Sequence, residues 1–333
     1  MSTSPILEAV GLVRRYPIRS GLFGRTAWLR AVEGVDFRIE PGESVALVGE
    51  SGCGKSTTAR LITQLEPMDE GRIIFAGQDA TRAHGRELQQ YRQQVQLIFQ
   101  DPLESLNPRQ TIAQIVSRPL INFELAAGRD VMRRVEELLE LVGLTPASVY
   151  LQRYPHQLSG GQRQRVGIAA ALAVKPRLLV ADEPVASLDI SVRAQILNLL
   201  QRLQRELNLS LLFISHDLGV VRSFCGRTSI MYLGKIVESG PTETIFSSPA
   251  HPYTRTLIAA TPIADPRAAR RRAAIVVRGE VPSAFAPPSG CSFHPRCPIA
   301  QAVCVTTKPS LRALAMHHHA ACHFAQELTG AEI

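Results

Sequence analysis

The chain has 333 residues, long enough for a large core and for more than one domain, and its 37 basic against 29 acidic side chains give a formal charge of +8. That excess is too mild to demand nucleic acid and is compatible with docking near anionic lipid headgroups. Although 45% of the residues are hydrophobic, no run approaches the ~18–20 continuous apolar residues that span a bilayer. The opening MSTSPILEAVGLVRRY also lacks the long apolar core of a secretion signal. A cytosol-facing protein is expected, with any membrane attachment made through partner chains.

In chain order, ILEAVGLV (residues 6–13) predicts a first strand, followed by the aromatic Tyr16 and, further on, Phe23 and Trp28. SVALV (Ser44–Val48) predicts a short buried strand, and KSTTARLITQL (Lys55–Leu65) a helix. Between them lies GESGCGKST, covering Gly49, Glu50, Ser51, Gly52, Cys53, Gly54, Lys55, Ser56 and Thr57. Glycines at 49, 52 and 54 let a backbone turn tightly enough to aim N–H groups at phosphate oxygens, and a helix start adds a positive dipole end. Lys55 is placed to reach β- and γ-phosphates and Ser56 to ligate Mg²⁺. Cys53 sits inside this loop, either as a reactive group or simply as a small packed residue.

After Gln100, which follows the apolar LIF, the pattern turns helical. VMRRVEELLELVGL places Val131, Val135, Leu138, Leu139 and Val142 near 3.6 spacing and stops at Gly143. LSGGQRQR (Leu158–Arg165) contains Ser159, Gly160, Gly161 and Gln162. RLLVADEP (Arg177–Pro184) predicts a second buried strand ending in Asp182, placed for the Mg²⁺ shell, and Glu183, placed to polarise a water. A helix after Ser191 turns positions 196, 199, 200 and 203 inward. LSLLFIS (Leu209–Ser215) is a third strand running into His216, and ligands in α/β sheets gather at such strand ends.

The last ninety or so residues change character. A basic cluster, Arg267–Arg272, reads as a solvated linker helix, prolines gather at 282, 287, 288, 295 and 298, and four of the six cysteines fall at Cys291, Cys297, Cys304 and Cys322. A cytosolic chain does not normally keep two structural disulfides, so metal ligation is the leading account. Zinc or an iron–sulfur cluster suits four thiolates, and free reduced thiols are the remaining reading. The two-to-four-residue zinc-finger spacings are absent, while His294, His317, His318, His319 and His323 lie near enough in sequence to help a zinc site.

The ordered series Gly49–Thr57, Gln100, LSGGQ at 158–162, VADEP, SLD at 187–189 and His216 resembles a complete ATP-binding cassette (ABC) nucleotide-binding domain. The resemblance implies an α/β, P-loop NTPase core with a small antiparallel β-subdomain and an inserted helical subdomain at about 101–165, the whole spanning 1–245. It implies ATP bound as Mg²⁺-ATP, with Gln100 sensing the γ-phosphate and metal, Glu183 and His216 catalytic, and Tyr16 stacked on adenine. Ser159, Gly160, Gly161 and Gln162 would complete the site of a facing subunit, and Asp189 would cross the seam between the two.

HPYTRTLIAATP (His251–Pro262), RGEVPS and PPSGCSFHPRCPIA resemble the C-terminal extension of the oligopeptide and dipeptide importer ATPases, here 246–333. FQDPLESLNPR and DEPVASLDISVRAQILNLL extend the likeness through the core, and the stretch PIRSGLFGRTAWLRAVEGVDF resembles the second of the paired ATPases in such importers. This implies a paralogous ATPase as heterodimer partner, two transmembrane permeases, an extracytoplasmic binding protein, a place at the cytoplasmic face of the membrane, and a four-iron four-sulfur cluster on Cys291, Cys297, Cys304 and Cys322. The alternatives are an importer of nickel or another small solute and, as a different class, a soluble ABC ATPase acting on ribosomes or DNA. The soluble class generally carries two cassettes or a long coiled-coil insertion, and neither is seen here.

Overall fold

The computed structural model describes residues 4–19, 26–101, 105–261 and 279–328. Phe23, the Arg267–Arg272 cluster and residues 102–104 of the FQDPLESLNPR stretch lie outside them.

Two sheets organise the described residues. The first holds β1 (Leu7–Arg19), β2 (Thr26–Ile39), β4 (Glu70–Phe75) and β5 (Gln78–Asp79) in the antiparallel order β2-β1-β4-β5. The second runs β11-β12-β10-β9-β3-β8-β7-β6. Its parallel part comprises β3 (Ser44–Val48), β6 (Val95–Ile98), β7 (Leu178–Asp182), β8 (Ser210–Ser215) and β9 (Arg227–Tyr232). β10 (Lys235–Pro241), β11 (Arg312–Ala315) and β12 (His318–Ala320) extend it antiparallel.

The central strands read as unbroken apolar runs because both of their faces are covered. Every residue of SVALV and of LLVAD is buried. Alternate side chains go to opposite faces. Val45, Leu47, Leu178, Val180, Leu212 and Ile214 pack with the first sheet and with helix Lys55–Ile62. Ala46, Val48, Leu179, Ala181, Leu211 and Phe213 pack with the other helices.

Several predicted helices land where their periodicity put them. Helix Arg129–Leu141 buries Val131, Val135 and Leu139 and ends before Gly143, whose φ of +77° no continuing helix adopts. Helix Ile190–Leu207 buries Ile196, Leu199, Leu200 and Leu203. Helix Ile112–Asn122 opens on a Thr111–Gln114 capping box, which satisfies its first amides from within the chain. The helix expected to reach Leu65 stops at Ile62 instead, because Gln64 turns left-handed at φ +52°.

The tail folds onto the core. β12 pairs with β10 through Glu238↔Ala320 and Ser239↔His319. Glu238 is fully buried, and its carboxylate accepts from the amides of Ala250 (2.7 Å) and His251 (2.9 Å) and meets His318 Nε2 at 2.8 Å. A buried carboxylate with three partners is tolerable where an unpaired one is not. His251 in turn caps helix Pro252–Ala260 by accepting from the Tyr253 amide at 3.1 Å.

Candidate functional site

Four neighbouring parallel strands, β3, β8, β7 and β6, deliver their C-terminal ends to one place. Register fixes this: Val48 pairs with Ser215, Asp182 with Ile214, and Ile98 with Ala181. Beyond those ends lie, in turn, Gly49 and the glycine loop, His216, Glu183 and Gln100. This is the crevice where open α/β sheets hold ligands.

The loop is shaped by what it cannot contain. A Cβ on Gly49 would sit 2.3 Å from the Met231 carbonyl oxygen, and one on Gly54 would sit 2.1 Å from that of Ala31, where φ is +109°. Helix Lys55–Ile62 begins at Gly54 with no side-chain cap and no acid in its first turn, so its leading amides face the crevice with only the dipole behind them. Ser51 and Gly52 form the exposed loop tip, whereas Cys53 is buried and its thiol is pushed up by desolvation. The Lys55 ammonium is buried, donates to the carbonyls of Gly49 (2.8 Å) and Glu50 (3.0 Å), and lies 3.9 Å from Glu183 Oε1.

Around this loop the acids are arranged by role. Ser56 Oγ donates to Asp182 Oδ1 at 3.1 Å, placing side by side a hydroxyl and a carboxylate, oxygen ligands of the kind that could hold a hard cation. Burial raises the Asp182 carboxyl above its ordinary range, the Ser56 hydrogen bond opposing it. Glu183 Oε2 accepts from Gln100 Nε2 at 3.3 Å and meets His216 Nδ1 at 3.0 Å. Its backbone is left-handed at φ +45° and its amide donates to Ile214 O at 3.0 Å, so the side chain is aimed by a strained turn pinned to β8. Asp217 caps helix Leu218–Phe224 and pairs with Arg193 at 3.0 Å. Thus Lys55, Ser56, Gln100, Asp182, Glu183 and His216 are brought together.

The remaining expected residues stand apart from that cluster or at its margin. Ser159 caps helix Gly160–Leu172 through a capping box with Gln162. Gly160 and Gly161 face Leu188 and Val192, where a Cβ on Gly161 would come within 2.4 Å of Val192 Cγ1. Ser159 itself is exposed at this helix start, as is Asp189 at the head of helix Ile190–Leu207. Tyr16 is half-buried on β1, with its hydroxyl bonded to Glu66 and the Arg14 guanidinium 4.8 Å above its ring. Trp28, its rival on β2, is 53% exposed.

The tail cysteines are all free thiols. Cys291, Cys297, Cys304 and Cys322 line one small cavity, together with His251, His294 and His323. Burial pushes the Cys297 and Cys322 thiols up to about 11 and raises that of Cys291. Among the described residues, no three His, Cys, Asp or Glu side chains are gathered closely enough to hold a single metal ion. Three of the five histidines offered for zinc have protein partners: His318 on Glu238, His323 on the Thr307 carbonyl and His294 on the Cys291 carbonyl.

One feature escaped sequence reasoning altogether. Arg296, between two of these cysteines, forms a two-pronged pair with Glu50 of the glycine loop.

A strand, a glycine loop and a helix beside paired strand-end acids, with LSGGQ heading a separate helix, define an ATP-hydrolysing cassette. The solved post-hydrolysis dimer of the ATP-binding cassette MJ0796 with ADP and Pi matches at TM-score 0.63 and 29% identity, over 71% of this chain and 98% of that one. cbiO1 from Clostridium perfringens, part of the ABC transporter complex cbiONQ, matches at TM-score 0.62 and 28% identity, over 73% of this chain and 91% of its own.

Family models narrow the assignment: "ABC transporter" matches residues 32–186, and "Oligopeptide/dipeptide transporter, C-terminal region" matches residues 237–304. The oligopeptide transport ATP-binding protein AppF of Bacillus subtilis is 46% identical, over 96% of this chain and 97% of its own. The dipeptide transport ATP-binding protein DppF of Haemophilus influenzae is 45% identical over 92% and 93%, and the oligopeptide transport ATP-binding protein OppF of Salmonella typhimurium 45% over 94% and 94%. This chain belongs to the ABC transporter ATP-binding proteins of the oligopeptide/dipeptide family. No helix among the described residues is long and apolar enough to cross a membrane.

Proposed function

We propose that the chain is the ATP-hydrolysing subunit of a peptide importer, working at the cytoplasmic face of the membrane with a paralogous ATPase, two permeases and an extracytoplasmic binding protein. The observation that carries this reading is the near full-length likeness to AppF, DppF and OppF, C-terminal region included, combined with a filled set of strand-end acids and loop donors. In this reading residues 1–245 form the nucleotide-binding domain and 246–333 the cysteine-bearing extension.

Gly49, Glu50, Ser51, Gly52, Cys53, Gly54 and Thr57 shape the cradle for the ATP phosphates, and Lys55 turns from its own loop carbonyls toward them. Ser56 and Asp182, with Gln100 beside them, would hold Mg²⁺, which supplies charge compensation at the phosphates. Glu183 takes the proton of the attacking water, and His216 fixes the carboxylate through the 3.0 Å contact. Tyr16 stacks on the adenine. Ser159, Gly160, Gly161 and Gln162 reach the ATP held by the facing subunit through the open start of their helix. Closure of the two subunits drives the permeases, and hydrolysis releases it.

The importer reading is tested by co-expressing the chain with a paralogous ATPase, two permeases and a peptide-binding protein of the same organism. ATP turnover of the membrane-reconstituted complex is expected to rise when peptide-loaded binding protein is added. An unresponsive turnover rate, or a chain that purifies free of permeases, contradicts the proposal.

On the tail, we infer that Cys291, Cys297, Cys304 and Cys322 hold a four-iron four-sulfur cluster. The raised Cys291, Cys297 and Cys322 thiols favour the protonated form, and metal coordination reverses that preference. Protein purified without oxygen is expected to be brown and to contain about four irons per chain. Cys297→Ser should lose most of that iron, and a colourless chain carrying stoichiometric zinc overturns the assignment.

A further inference from the structure

The cysteine-bearing segment is bolted to the phosphate loop. Arg296 Nη1 lies 3.0 Å from Glu50 Oε2 and Nη2 lies 3.2 Å from Oε1, with the Arg296 side chain only 10% exposed. Such a fork is geometrically specific as well as charged. The guanidinium also lies against the rings of Tyr232 and Phe293, at 6.0 and 5.8 Å from their centroids.

A second fastening acts on the backbone of the same residue. The Glu50 amide donates to the hydroxyl of Tyr253 at 2.9 Å, and Tyr253 is wholly buried in the first turn of helix Pro252–Ala260. Its ring packs 4.6 Å from Tyr232 and 5.4 Å from Phe293. The Glu50 carbonyl meanwhile accepts from Lys55 at 3.0 Å and from the Cys53 amide at 3.3 Å. Every polar group of Glu50 is therefore committed, its side chain and N–H to the C-terminal region and its carbonyl to the loop itself. A loop that binds by aiming amides gains most from being fixed beforehand, because the ordering cost is then absent at the moment of binding.

We infer that Arg296 and Tyr253 are positioning residues for ATP binding: they hold Glu50, and through it the glycine loop, in the phosphate-receiving shape, so that nucleotide affinity depends on the order of the Cys291–Cys297 segment. The inference rests on the reading of Gly49–Thr57 as the ATP phosphate cradle. By linkage the dependence is reciprocal, so a bound nucleotide also steadies the cysteine segment.

The test is a titration of the full-length chain with a fluorescent ATP analogue, alongside steady-state ATP turnover. Arg296→Gln is expected to weaken binding about ten-fold and Tyr253→Phe several-fold, with turnover at saturating ATP within about two-fold of the unsubstituted chain. Arg296→Lys, which keeps the charge and loses the fork, should fall between and serves if the glutamine variant does not fold. Arg312→Gln is the control, since among the described residues Arg312 bonds carbonyls inside the tail, those of Cys322 and His323. It should leave affinity unchanged. Unaltered affinity in both Arg296→Gln and Tyr253→Phe overturns the inference, as does an equal loss in Arg312→Gln. An unsubstituted chain that fails to bind the analogue, or a Lys55→Ala chain that binds it as well, overturns the phosphate-cradle reading itself and the inference with it.

Discussion

Glu183→Gln is expected to bind ATP with an affinity within about two-fold of the unsubstituted chain while its turnover falls by about 10²–10⁴-fold, the range for loss of a general base. The substitution keeps shape and hydrogen bonding. An amide oxygen in place of Oε2 can still accept from Gln100, at 3.3 Å in the native site, and still face His216 at 3.0 Å. What it removes is the basic oxygen and the negative charge 3.9 Å from Lys55. The Ser56–Asp182 pair, which would hold Mg²⁺, is untouched, because it hangs on the neighbouring residue of the same strand end. Single-turnover measurement with radiolabelled ATP separates binding from chemistry. Undiminished hydrolysis would rule Glu183 out as the base. A proportionate loss of binding would instead assign it to the cradle.

Gly54→Ala is expected to abolish detectable ATP binding, a loss of at least about 100-fold, and to destabilise the fold by roughly 2–4 kcal/mol. Two independent penalties meet at this position. The backbone is at φ +109°, a region that side-chain-bearing residues rarely adopt, and the new methyl would lie 2.1 Å from the carbonyl oxygen of Ala31 and 2.9 Å from Met231 Cε. The Ala31 oxygen is backbone of β2 and cannot yield without shifting a sheet, whereas Met231 Cε is the end of a flexible side chain and can turn aside. The loop must move instead, and it carries the start of helix Lys55–Ile62 with it. Gly52→Ala makes the comparison: φ is +76° there but nothing lies within 4 Å, so only the backbone term of about 1–2 kcal/mol applies. Chemical unfolding and nucleotide titration of both variants measure the difference. Equal behaviour would show that the close approach at Ala31 does not shape the loop.

Much of the core was legible because its signals are local. SVALV, RLLVADEP and LSLLFIS announce buried strands by composition alone, and the spacing 196, 199, 200, 203 gives the inward face of helix Ile190–Leu207 without knowledge of its neighbours. The convergence of Lys55, Asp182, Glu183 and His216 also follows from sequence, since Asp182 ends one parallel strand, Glu183 and His216 stand just past strand ends, and Lys55 follows the glycine loop that leaves a third. Long-range pairings left no such trace. Arg296 and Glu50 are 246 residues apart, and His318 and Glu238 are 80 apart. Nothing in HHH distinguishes the histidine that fills a buried pocket beside a carboxylate from the two at its flanks. The helix end at Ile62 was missed because a left-handed Gln64 carries no composition signal of the kind a glycine gives.

The pairing of β12 on β10 bears on how the chain can be cut. A cassette trimmed at residue 245 would keep β10 but strip away the strand that covers Glu238 and Ser239. It would leave a row of unpaired backbone donors and acceptors open to a second molecule, the usual starting point for edge-to-edge aggregation. It would also strand the buried Glu238 carboxylate without His318 and without the amides of Ala250 and His251. The tail thus serves as the chain's own guard on that side of the sheet, and a shorter soluble fragment of the ATPase would need a substitute partner strand.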